Sequence, residues 1–245
     1  MKANYSIYNH EDSDSRIREI INSADYEYEE KDSIPNRDTL TFTNGYYVKC
    51  SAMFVDIRGS SELSQKYSRP TLARIFRSYI SELVAVLRGN SSVCEIMIEG
   101  DCVWGIFDTR YKQDINELFG DAARVVSLVN ILNWRLSQKN IAPVSIGIGL
   151  DYGRALMIKG GYRGSGINEA VWMGDVVSSA ARLCSYGSKS LIDKSVMLSE
   201  IFNNNLYEEN KKLVSWNGVR DCYHASIINR DMNKWLTERN KGRPK

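Results

Sequence analysis

Asp56 closes the apolar run YYVKCSAMFVDI, and Asp101 sits between two apolar runs in IMIEGDCVWGIF. Two carboxylates brought together offer oxygen ligands to a hard divalent cation such as Mg²⁺, which keeps further positions for water and a phosphate ligand. Two such ions can activate an attacking hydroxyl and neutralise a triphosphate. Directly after Asp56 comes Arg58-Gly59-Ser60-Ser61, a small-residue entry to a helix whose backbone N–H groups can take a phosphate. Either aspartate alone reads equally well as a strand-end or turn residue, because Asp is common in turns. Two features separate them from that reading. Val55 and Ile57 flank Asp56 with β-formers, so no turn chemistry asks for an acid there, and the phosphate-type loop follows at once.

The elements must bring residues 45 apart to one place. YYVKCSAMFVDI alternates and is rich in β-formers, which predicts a strand. Leu72, Ile75, Phe76, Tyr79, Ile80, Leu83, Val86 and Leu87 recur at helical spacing and predict a helix from about Ser61 to Leu87. A hairpin over 93–98 and 102–107 follows, then a helix from about Asp114 to Gln138. VSIGIGLDYGRALMIKGG predicts another hairpin, turning at Asp151-Tyr152-Gly153. A Gly-rich loop over Lys159–Gly166 leads to a helix from Asp175 to Tyr186. The order β, α, β, β, α, β with an extra hairpin strand is ferredoxin-like, an α+β fold with helices covering an antiparallel sheet. In such a sheet the first strand is central and neighbours the first hairpin, so Asp56 and Asp101 can face each other at one end.

Upstream, Ser13 or Asp14 caps a helix running to about Tyr28, with Ile17, Ile20 and Ile21 on one face, and Pro35-Asn36 breaks the pattern. Downstream, residues 190–229 read as a small α/β appendage whose last two strands meet at Asn217-Gly218. The tail INRDMNKWLTERNKGRPK is polar and basic; it frays or forms one short helix. The expected organisation is an N-terminal helical extension over 1–45, one catalytic domain over 46–229 and a basic tail over 230–245.

Composition excludes several functions. The 245 residues carry a net charge of +2, which builds no field for nucleic acid or membrane. No apolar run approaches the length of a membrane span, and the N-terminus has no signal-peptide core, so a cytoplasmic location is expected. Five cysteines without CxxC spacing read as free thiols, and two histidines make a histidine zinc site improbable.

AMFVDIRGSSEL, EIMIEGDCVWGIF, VSIGIGLDYGRALMIKGG and VWMGDVVSSAARL together resemble the class III nucleotidyl cyclases, in family order and spacing over about 46–187. The resemblance implies that Asp56, Asp101 and the carbonyl of Ile57 bind two Mg²⁺ or Mn²⁺ ions. It implies that Arg182 stabilises the pentavalent phosphorus, a role suited to a fixed guanidinium. It also implies a head-to-tail homodimer with two shared sites, metal ligands from one protomer and arginine from the other. The reaction would be attack by the ribose 3′-hydroxyl on the α-phosphorus with loss of pyrophosphate.

The departures from the family pattern concern the base. Met97 stands where adenylate cyclases carry Lys and guanylate cyclases Glu, and Val171 stands at the second base-reading position. Methionine donates no hydrogen bond and accepts weakly. Ser178 replaces the Asn that orients the ribose, and no triphosphate lysine is evident near Trp216-Asn217-Gly218; Lys211, Lys212 or Arg220 are substitutes by position. Bulk from Phe54, Met97 and Trp172 suits a smaller ring. The chain, including LTFTNGYYVKCSAMFVDIRGSS, is further similar to the bacterial pyrimidine nucleotide cyclases of anti-phage defence, the Pycsar type. That similarity implies a pyrimidine triphosphate substrate, UTP or CTP, and a cyclic product acting on a separate effector, with no nucleic-acid partner and no direct membrane contact. An adenylate cyclase with relaxed base readout and a silent nucleotide-binding module remain as alternatives.

Overall fold

A computed structural model describes residues 3, 5–24, 27–188, 190 and 192–241. Its centre is β2 (Gly45–Ile57), a strand long enough to take partners on both edges. After β2 come α2 (Ser60–Lys66), α3 (Arg69–Arg88), β3 (Val93–Glu99), β4 (Cys102–Phe107), α4 (Lys112–Ser137) and β5 (Ile146–Tyr162). Spatially these strands run β3-β4-β2-β5, and all three pairings are antiparallel. This is the ferredoxin-like order, and it sets the β3–β4 turn beside the end of β2.

Alternation along β2 sorts its side chains onto two faces. Met53, Val55 and Ile57 join Ile75, Tyr79, Leu83 and Leu87 of α3 and the apolar stripe of α4 in the larger core. Ala52 and Phe54 point the other way, toward α5 (Asp175–Tyr186), whose Val176, Ala180 and Cys184 close the second cluster. Asp56 shares the face of Phe54 by that alternation. The approach of α5 to the sheet is exceptionally close at Gly149. A Cβ there would sit 2.3 Å from the backbone nitrogen of Cys184. Gly149→Ala should therefore push α5 off β5 and cost at least about 3 kcal/mol of stability. Gly120→Ala on α4, where the added methyl meets nothing within 4 Å, should stabilise by about 0.5–1 kcal/mol. Urea midpoints of the two variants against wild type check both.

Several expectations are corrected. The helix from Ser61 to Leu87 is two helices, because Pro70 at the start of α3 cannot donate to the preceding turn and its ring clashes with it. The expected turn at Asp151-Tyr152-Gly153 does not exist. Here β5 runs unbroken through thirteen register pairs with β2, and Asp151 accepts hydrogen bonds from Tyr152 N–H and the Ser199 hydroxyl instead of shaping a turn. The true hairpin is β5 with β6 (Ile167–Met173), a strand not anticipated, and its turn carries Gly164 and Gly166 at positive φ.

The N-terminal helix α1 (His10–Ile21) starts earlier than expected, capped by Asn9, and stops at Ile21. Residues 25–26 of its expected extent lie outside the described residues, and Tyr28–Lys31 is not helix but β1, parallel to β2. Arg16 over the Tyr162 ring and an Arg163–Glu19 ion pair at 2.8 Å fasten α1 to the β5–β6 hairpin.

The appendage is a continuation of the sheet. β7 (Val196–Leu198) pairs parallel with β5, then β9 (Cys222–Ala225) and β8 (Val214–Asn217) follow, with α6 (Glu200–Asn204) and α7 (Glu208–Lys211) between. Within the tail, α8 (Arg230–Lys241) forms and packs on α4 with Trp235 edge-on to Trp134; residues 242–245 of the expected tail lie outside the described residues. Among the described residues no helix is long and apolar enough to cross a membrane.

Candidate active site

The register Val55↔Val103 places the last residues of β2 beside the first of β4. Asp56 and Asp101 thereby come together at one sheet end, close enough for each carboxylate to act on the other. Burial, and next the Asp101 carboxylate, push the pKa of Asp56 above the ordinary aspartate range; Arg58 and the Ile57 N–H act the other way. Oδ2 of Asp101 is buried and has no hydrogen-bond partner. A buried, unpartnered carboxylate oxygen next to a second carboxylate is costly, and a divalent cation relieves that cost. The donor set is hard: the neighbouring Cys102 thiol is pushed up to about 12 by burial and by Asp56, so it stays protonated. Among the described residues no group of three or more His, Cys, Asp and Glu side chains converges. A cation at this pair would therefore complete its shell with backbone oxygen, water and substrate.

Around the carboxylates the expected phosphate loop divides. Ser60 and Ser61, with Ser64, Phe76, Gly100 and Asp101, line an open groove of about 410 Å³. Gly59 takes a left-handed conformation, φ +68°, that turns the chain into α2. Arg58 does not face the groove. Its Nη2 pairs with Asp56 Oδ2 at 2.5 Å and its Nη1 donates to the Ser185 carbonyl at 3.1 Å, so the expected triphosphate contact is corrected to an inward ion pair. Ile57 is a core residue by its side chain.

On α5, Ser178 and Arg182 are one turn apart on the exposed face, with Asp175 and Ser185 in the same stripe. The Arg182 guanidinium has no ion-pair partner among the described residues; its carbonyl accepts from the Ser185 hydroxyl at 2.6 Å. The proposed substitutes for the triphosphate lysine are mostly committed elsewhere. Lys211 pairs with Glu208 at 2.9 Å and Arg220 grips Asp193 through two nitrogens, while Asn217 is buried and bonded to Asp193 and Ile192.

Above Asp56 on the same face, Phe54 stacks on Trp104 with centroids 4.7 Å apart and planes 7° from parallel. Met97 and Trp172 pack into the same cluster. Val171 does not join them. It is 39% exposed and, as the neighbour of buried Trp172 along β6, it points to the opposite face. Met97 also borders a cavity of about 260 Å³ with Arg37, Glu95 and Glu169. Glu95 accepts from Trp172 Nε1 at 3.2 Å, and the buried Trp104 Nε1 has no acceptor. Sequence reasoning missed Trp104, Glu95 and Arg37. Strand alternation contained the first two, since Trp104 lies opposite Phe54 and Glu95 is two residues from Met97; nothing local marks Arg37.

No family model matches the chain. It is 36% identical over 239 residues to a uridylate cyclase of Treponema porcinum, covering 96% of this chain and 82% of that protein. It is 37% identical over 238 residues to a uridylate cyclase of Gulbenkiania mobilis, covering 93% and 92%. A cytidylate cyclase of Staphylococcus aureus is 30% identical over 133 residues, 52% of this chain and 31% of that protein. Among solved structures, the adenylyl cyclase CyaB of P. aeruginosa superposes with a TM-score of 0.61 at 19% identity, covering 77% of this chain and 98% of that one. The guanylyl cyclase Cya2 gives 0.62 at 14% identity, covering 76% and 95%. These two likenesses carry the fold.

Proposed function

The chain belongs to the class III nucleotidyl cyclases, in the group of bacterial uridylate and cytidylate cyclases, and from that premise we propose that it converts UTP to 3′,5′-cyclic UMP and pyrophosphate. The observation that carries the choice of base is the apolar lining formed by Phe54, Trp104, Met97 and Trp172, with no lysine or glutamate at the purine-reading position. Polar groups beside that lining are Glu95, an acceptor for a ring N–H, and the unaccepted Trp104 N–H, a donor for a ring carbonyl; a flat pyrimidine ring carrying both kinds of edge atom suits this pair, which methionine alone cannot read. UTP is favoured over CTP because the two relatives matched over most of their length are uridylate cyclases.

In this reading the ribose 3′-oxygen bonds to the α-phosphorus, the bond from that phosphorus to the β-phosphate oxygen breaks, and the hydroxyl proton leaves to solvent. Asp56, Asp101 and the Ile57 carbonyl would hold two Mg²⁺ or Mn²⁺ ions, and the unpartnered Oδ2 of Asp101 fits that use. Such ions, when bound, lower the pKa of a coordinated hydroxyl and neutralise phosphate charge. Ser60 and Ser61 line the groove open to the triphosphate. Ser178 orients the ribose, and Arg182 meets the negative charge developing on the phosphorus. Both project from an exposed helix face, which suits delivery into the site of a second copy of the chain. The cyclic product would act in anti-phage signalling through a separate effector, following the sequence resemblance to the Pycsar group.

Purified protein incubated separately with UTP, CTP, ATP and GTP in Mn²⁺, with products identified by mass, tests the reading. Cyclic UMP as the main product is expected. Cyclic AMP or GMP as the main product would show that the apolar lining has been over-read, and a folded protein making no cyclic product would favour a silent module.

A further inference from the structure

Arg58 is an unusual neighbour for a cation site. Its guanidinium bonds Asp56 Oδ2 at 2.5 Å and lies 3.5 Å from the Asp56 carbonyl. Its other arm donates to the Ser185 carbonyl at 3.1 Å, in the last turn of α5. Nε of Arg58 is buried with no acceptor, so the side chain is held without being fully satisfied. Gly147 makes room for it: a Cβ there would stand 3.2 Å from Cζ of Arg58 and 2.3 Å from the Cys184 carbonyl. The Ser185 hydroxyl in turn donates to the Arg182 carbonyl at 2.6 Å. A continuous set of contacts thus runs from the carboxylate pair through Arg58 to the turn that carries Arg182.

A cation on Asp56 and Arg58 on Asp56 compete for the same negative charge and repel each other. We propose that Arg58 is a positioning residue that couples occupancy of the Asp56–Asp101 pair to the last turn of α5, and through that turn to Arg182. This rests on the cation-site reading above. Without a divalent ion, Arg58 neutralises Asp56 and ties it to Ser185. As a divalent ion takes Asp56, Arg58 yields its carboxylate contact, and its hold on the Ser185 carbonyl changes with it. In a dimer with shared sites the affected arginine would serve the other site, so the two sites would sense each other's ion.

The test uses the full chain and Mn²⁺ alone, without nucleotide. Bound Mn²⁺ is counted by loss of the free-ion electron paramagnetic resonance signal, and amide hydrogen exchange is followed over Leu183–Gly187. Wild type should bind Mn²⁺ and change exchange in that turn. Arg58→Gln has no guanidinium to displace, so it should bind Mn²⁺ about two- to fivefold more tightly, the scale of a solvent-accessible ion pair, and its α5 exchange should no longer respond to Mn²⁺. Arg58→Lys keeps the charge but not the fork; it should bind Mn²⁺ near the wild-type affinity while the α5 response is lost. Should Arg58→Gln fail to fold, the lysine variant decides, and a retained response overturns the inference. Wild type that takes up no Mn²⁺ overturns the cation-site reading and this inference together. Wild-type uptake with unchanged or weaker affinity in Arg58→Gln, or with α5 exchange that still responds, overturns the coupling alone.

Discussion

Asp101→Asn is expected to lower cyclase turnover by about a thousandfold or more, the scale of losing a main electrostatic contributor to a phosphoryl transition state, while the metal-free protein unfolds at an unchanged or higher temperature. The two halves of this expectation have one cause. Asp56 and Asp101 are held together at a partly buried sheet end, and Oδ2 of Asp101 has no donor. Asn preserves the size, offers an amide hydrogen to Asp56 and removes a like charge. The pH dependence follows by sign. The folded-state pKa of Asp56 is raised, first by burial and then by Asp101. Its contribution to stability is therefore fully present at low pH and is lost as pH rises from the ordinary aspartate value of 3.8 through the raised one. With Asp101 neutral, one of the causes of that rise is gone, so the variant loses less stability over the same window. Thermal melts in a chelator across this range, repeated with Mn²⁺, check the claim. Mn²⁺ should raise the Tm of wild type and leave the variant's almost unmoved. A variant that turns over normally, or whose Tm rises with Mn²⁺ as wild type's does, would show that the carboxylate pair is not a cation site.

The meeting of Asp56 and Asp101 was legible in the chain because strand periodicity and one short hairpin suffice to place both. The FVDI end of β2 and the EGD turn need only the central position of the first strand, which the βαββαβ order supplies. The missed features depend on contacts distant in sequence. A turn at Asp151-Tyr152-Gly153 is chemically reasonable, yet the uninterrupted partner β2 offers every backbone group in β5 a ladder bond, and a turn would forfeit them. β6 was hidden because INEAVWM follows a run of glycines and is short; it becomes a strand by pairing with the far half of β5. Pro70 was a local signal that should have divided the helix, and the long apolar periodicity around it obscured the break. Arg58 followed a motif position, whereas its direction is set by Gly147 and the end of α5, which local sequence does not contain.

The base pocket shows the same division. Phe54, Met97 and Trp172 meet in one cluster because each lies on the sheet face opposite α3 and α4. Motif position groups Val171 with Met97, yet β6 turns it outward while turning Trp172 in. An aromatic stack and a thioether favour a flat ring without reading its edge. Edge discrimination then has to come from polar neighbours such as Glu95 and Trp104, which lie within the EIMIEGDCVWGIF motif but away from its base-reading position.

Mixing Asp101→Ala chains with Arg182→Ala chains, each inactive alone, is expected to restore about a quarter of wild-type activity, from random assortment in a twofold dimer. Random exchange makes half of the dimers mixed. Each mixed dimer has one site with both defects and one with neither, so a quarter of all sites are whole. The geometry behind this is the placement of Ser178 and Arg182 on the exposed stripe of α5, with no ion-pair partner for Arg182 within the described chain. The carboxylate pair and the groove beside it, by contrast, are built from β2, the β3–β4 turn and α2. If a chain used its own Arg182, every site in a mixed dimer would carry one defect, and mixing would restore nothing. Subunit exchange has to be verified in the same sample, for example by mass-tagged chains, because exchanged but inactive dimers contradict shared sites whereas unexchanged ones would only report slow dissociation. Rescue near a quarter, with a linear dependence on the mixed-dimer fraction, identifies the helix of one protomer as the donor of the arginine used at the carboxylates of the other.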